Sequence, residues 1–140
     1  MHIFYPFSFY IAIVIAILYC AVLWMLRNLG TFRIPLFIYG LVVQLSFLAF
    51  FFGMSRYFRA SDSVNRDYFD VFGNGLIVFY FLMVVPFVIA LWVQVYKGIW
   101  RLDIGKISKI IMMVLFVLVT LVAAFFGFYA HILFYYGFAP

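Results

Sequence analysis

The chain has 140 residues, of which 71% are hydrophobic and only 9% charged, whereas a soluble domain carries about a quarter charged residues. So few charges cannot cover a water-facing surface, and the mean hydropathy of +1.26 makes lipid the solvent. The net charge of +5 does not signal nucleic acid. The basic residues sit in short connections between apolar runs, with no separate basic patch carrying interleaved stacking aromatics.

The first apolar run extends from about Ile3 to Leu26. It starts without Lys or Arg, is a full span long and ends at "WMLRN", so it reads as a retained span rather than a cleaved signal. Ser8, Ala12, Ala16 and Cys20 fall at every fourth position within it. Positions four apart lie near one another on a helix, and small residues let membrane helices approach closely. The strip therefore marks a partner-helix packing face. That partner is either a neighbouring helix of the chain or a different protein. Cys20, the single cysteine, reads as a small buried residue with no internal disulfide available.

The second run, from about Ile34 to Met54, carries Gln44 near its middle and the small residues Ser46, Ala49 and Gly53. An amide at that depth needs a hydrogen-bond partner, and Thr120 of the fourth run or a backbone carbonyl is the expected one. The small residues are expected to face inward. The following segment, "SRYFRASDSVNRDYFD", has Arg and Asp at three- and four-residue intervals, which predicts a short surface helix.

The third run, from about Val71 to Tyr96, contains Pro86. Proline cannot donate to the carbonyl of Leu82, so a helix bend is expected there. Gln94 is expected to be solvated near the interface. The connection "KGIWRLDIGKISK" places Trp100 among four cations, which suits contact with anionic headgroups.

The fourth run, from about Ile110 to Tyr136, pairs Thr120 with Ala124 and Ala123 with Gly127. His131 lies near its end and His2 near the start of the chain. These two are the candidate metal or haem ligands, without any fixed-spacing ligand motif to support them.

Crossing the hydrocarbon takes about 20 apolar residues as a helix. Continuous runs exclude the alternating strands of a barrel. The sequence therefore predicts an all-α integral membrane four-helix bundle, a single domain over residues 1–140 with four transmembrane helices. The first and third connections hold Arg27, Arg33, Lys97, Arg101, Lys106 and Lys109; the second holds Arg56, Arg59 and Arg66. Counting Lys and Arg alone, both termini belong on the same, non-cytoplasmic side of a bacterial inner membrane or an organellar inner membrane.

No Asp, Glu, Lys or Arg lies deep in a run, which disfavours a proton-driven transporter. No catalytic constellation is visible. The expected role is an accessory or assembly subunit whose partners are other integral membrane subunits and lipids. The expectation includes no nucleic acid and no cofactor; a bound lipid or quinone would fit. The alternatives are a homo-oligomeric channel or facilitator, and a membrane protein that binds metal or haem.

Overall fold

Lipid offers the backbone no hydrogen bonds, so each apolar run must satisfy its own N–H and C=O groups as a helix. The computed structural model describes the backbone of residues 4–60 and 66–136, and the side chains of residues 10–57 and 69–135. Its described elements are α1 (Phe4–Met25), a 3-10 helix (Arg27–Phe32), α2 (Arg33–Ala60), α3 (Arg66–Trp100) and α4 (Lys106–Tyr136). Among the described residues there is no strand. Arg27–Tyr57, Phe69–Trp100 and Lys106–Tyr135 are long and apolar enough to cross a membrane, and Tyr10–Met25 is a shorter apolar stretch. This is a multi-pass membrane protein, with four α-helices among the described residues.

The helices overrun the apolar segments. α2 continues six residues past Met54, and α3 begins five residues before Val71. A helix need not stop where its side chains become polar, because its ladder continues unchanged into the headgroup zone. The expected surface helix between the second and third spans is therefore replaced by extensions of α2 and α3, with residues 61–65 outside the described part. At the other end, Arg101 N–H donates to Gly98 O (3.2 Å) and Leu102 N–H to Ile99 O (3.1 Å). These bonds tighten the last turn of α3 and satisfy carbonyls that the helix leaves open. Gly30, in the α1–α2 connection, has φ 58° and ψ −128°, a conformation that only glycine adopts without strain.

Consecutive helices pack against one another, and the interior is built from rings. Val43, Phe47 and Phe51 of α2 meet Phe72, Leu76 and Met83 of α3 in one buried cluster. Leu23, Leu26, Leu29 and Ala90 form a second. Tyr19 packs against both clusters and ties α1 to the rest. Phe47 touches Phe79 of α3 and both His131 and Tyr135 of α4, with centroids 5.5, 5.7 and 5.0 Å away. One α2 side chain thus joins three helices.

Two glycines allow close approach. A Cβ on Gly40 would run into Leu23 and come within 3.1 Å of the Tyr19 ring, and one on Gly75 would strike the Phe50 ring. Leu23 is itself fully buried, so it has nowhere to retreat. Gly40→Ala is expected to weaken the α1–α2 contact by about 1 kcal/mol, read as a lower unfolding midpoint in detergent. An unchanged midpoint would mean that the two helices are not this close.

Candidate functional site

Three polar side chains at membrane depth gather around the turn before Pro86. The proline ring removes the N–H that would bond Leu82 O, four residues earlier. Tyr39 of α2 supplies the missing donor: its hydroxyl lies 2.9 Å from Leu82 O. Beside it, the Tyr19 hydroxyl of α1 donates to Met83 O at 2.7 Å. Gln44 is buried and donates from Nε2 to Met83 Sδ at 3.0 Å. α3 runs without interruption through the proline, and three residues from two other helices bond the turn that precedes it. A recess of about 380 Å³ opens on the lipid side of this turn, lined by Tyr39, Val78, Phe81, Leu82, Val85 and Pro86.

Gln44 therefore bonds a thioether rather than Thr120 or a carbonyl. Thr120 lies instead on the α3–α4 contact. Trp92 Nε1–H donates to its Oγ1 (2.7 Å), which in turn lies 2.9 Å from Val117 O and 3.0 Å from Phe116 O. The Tyr80 hydroxyl donates to Ala124 O across the same contact. The two intramembrane polar residues singled out from the sequence thus serve different helix pairs.

The small-residue strips also differ from expectation. Ala12 and Ala16 are buried within the chain, 2% and 7% exposed. Cys20 is half-buried, and the side chain of Ser8 lies outside the described residues. Steps of four residues turn a helix by about 40° beyond a full turn, so the strip from Ser8 to Cys20 drifts by about 120°. The inward face instead alternates four and three: Ala12, Ala16, Tyr19, Leu23 and Leu26. On α2 the reverse holds. Ser46, Ala49 and Gly53, expected to face inward, are all exposed, and nothing stands within 4 Å of the position a Gly53 Cβ would take. On α4, Thr120 and Ala124 turn toward α3, while Ala123 is exposed.

At the far end, Asn28 bolts the α1–α2 connection to α3. Its N–H donates to Gln94 Oε1 (2.9 Å), and its carbonyl accepts from Lys97 Nζ (2.9 Å). Its Oδ1 accepts from Arg101 Nη1 at 3.2 Å. Gln94, expected to be solvated, is a structural acceptor.

The chain matches no protein-family model, no curated protein and no solved structure. Its own residues carry the reading. Among the described residues, no three His, Cys, Asp or Glu side chains come together as a metal site. His131 sits among the rings of Phe47, Tyr80 and Tyr135 at 5.7, 5.3 and 4.8 Å. Its Nε2 is buried without a hydrogen-bond partner. The surroundings are rings rather than further ligands, and His2 lies outside the described residues. The tyrosines at Pro86 and the Asn28 bolt carry no sequence signal of their own. Proline inside an apolar run is the one clue that hydroxyls from neighbouring helices would be wanted nearby.

Proposed function

We propose that this membrane protein is an accessory or assembly subunit of a larger membrane complex, docking through the outer face of α2. The observation that carries this reading is the outward turn of Ser46, Ala49 and Gly53. Lipid is as apolar as leucine, so helices associate in it through close packing, which small residues permit. The α1 strip is used inside the chain at Ala12 and Ala16, whereas among the described residues no helix of this chain covers the α2 strip. The membrane-depth polar groups Gln44, Thr120, Tyr19 and Tyr39 are all engaged in bonds within the chain, which leaves little lining for a solute pathway and favours this role over a channel.

The cation-rich α1–α2 and α3–α4 connections belong on the cytoplasmic side by the positive-inside rule, with both termini opposite. A bacterial inner membrane fits that arrangement, as does an organellar inner membrane.

The test is native mass spectrometry after gentle extraction from the native membrane. Other membrane subunits are expected at fixed stoichiometry. Ala49→Leu/Gly53→Leu is expected to release them while the chain keeps its helicity, because both positions are exposed. Recovery of the chain only as a monomer or homo-oligomer would overturn the proposal, as would a partner retained by the double variant.

A further inference from the structure

The end of the bundle that holds Asn28 concentrates charge. Arg27, Arg33, Lys97, Arg101, Lys106 and Lys109 belong to its two connections and the helix ends that flank them, and the only acid among these segments is Asp103. Asn28 fixes two of the cations: Lys97 and Arg101 each give it one hydrogen bond. An ammonium has three N–H donors and a guanidinium five, so both groups keep donors to offer elsewhere. Both side chains are exposed, as is Arg27, the neighbour of Asn28 in sequence.

The aromatic residues beside them fit the depth of lipid headgroups. Tyr96 stacks on Trp100 with centroids 4.7 Å apart, and both rings are nearly half exposed. Lys109 Nζ donates to Trp100 O (3.2 Å) and stands 5.8 Å from the Trp100 ring. The Arg33 guanidinium lies 4.3 Å from the Trp24 ring centroid. Amphipathic rings of this kind settle at the membrane–water interface, where clustered Lys and Arg meet lipid phosphate.

We propose that this end is a binding site for the headgroup of an anionic phospholipid. The phosphate accepts hydrogen bonds from Lys97 and Arg101, which Asn28 holds in place, with Arg27 adding charge and the Tyr96–Trp100 pair lying against the glycerol region. Arg suits phosphate because its planar fork can donate twice. The inference rests on the Asn28 geometry and is independent of the docking role of α2.

The test uses the full chain, delipidated in a neutral detergent and titrated with phosphatidylglycerol, phosphatidylcholine or inorganic phosphate, with retained adducts counted by native mass spectrometry. One phosphatidylglycerol is expected to be retained at least about tenfold more strongly than phosphatidylcholine, a difference of about 1.4 kcal/mol. Lys97→Gln/Arg101→Gln removes both charges and shortens the donors while leaving a polar amide at each exposed position; it is expected to abolish that preference with helicity unchanged. Arg56→Gln/Arg59→Gln removes the same charge from the opposite end and is expected to leave it intact. Three results would each overturn the proposal: equal retention of both lipids, equal loss in the two double variants, or displacement of the lipid by millimolar inorganic phosphate.

Discussion

Phe47→Ala is expected to lower the unfolding free energy by about 3 kcal/mol, the typical cost of emptying a well-packed aromatic site. Phe47 is 2% exposed and is among the largest fully buried side chains. Its ring meets Phe51 on its own helix, Phe79 on α3, and His131 and Tyr135 on α4. In lipid the loss is chiefly of contact, because hydrocarbon tails give little drive for burying one apolar group against another. The surrounding rings stand on three helices, and such a site relaxes only in part around the gap. Val42, on the outer side of α2 and 55% exposed, is the comparison: Val42→Ala is expected to stay within about 0.5 kcal/mol of the parent. Reversible unfolding in mixed micelles, followed by far-ultraviolet circular dichroism, measures both. Equal losses at the two positions would mean that the inward and outward faces of α2 are misassigned.

That assignment is also the point at which the sequence was hardest to read. The four helices were legible because long unbroken apolar runs have one solution in lipid. Which side of each helix turns inward was not, because apolar residues surround every helix and periodicity has nothing to contrast. Small residues were the remaining guide, and they work only in part. On α1, Ala12 and Ala16 do face inward, but the inward line then moves to Tyr19 and Leu23, following the 3.6-residue turn rather than the four-residue spacing. On α2 the interior is built from Val43, Phe47 and Phe51, and the small residues are left outside. A pattern of small residues marks where a backbone can be approached, without saying by which helix.

The polar residues show the same limit. Gln44 was expected to find a partner and does, but the partner is a sulfur on α3, and nothing in the sequence sets methionine above a hydroxyl. Asn28 lay in a short connection that gave no sign of its two bonds to α3 and its third to Arg101 just beyond. Pro86 was readable as an opened turn. What closes the turn depends on two tyrosines, more than 40 residues away in the chain, whose hydroxyls could equally have reached headgroups.

The bond between Tyr39 and Leu82 exists because of Pro86, and a double-mutant cycle can show it. In the parent, Tyr39→Phe leaves Leu82 O without its donor at membrane depth, and a loss of about 1 kcal/mol is expected. In a Pro86→Ala background the restored N–H of residue 86 reaches Leu82 O as in any helix, so Tyr39→Phe is expected to cost almost nothing. The coupling between the two positions should therefore be about 1 kcal/mol. Tyr19→Phe is the internal control. Its acceptor, Met83 O, has the N–H of Phe87 as its helical partner, and that group is present in both backgrounds. Tyr19→Phe should therefore carry a similar loss with or without the proline. If Tyr39→Phe costs the same in both backgrounds, the hydroxyl is not replacing the bond that Pro86 removes. If Tyr19→Phe is relieved as well, the proline disturbs the turn more widely, and both tyrosines hold together a stretch of α3 that the residues around 82–87 cannot hold alone.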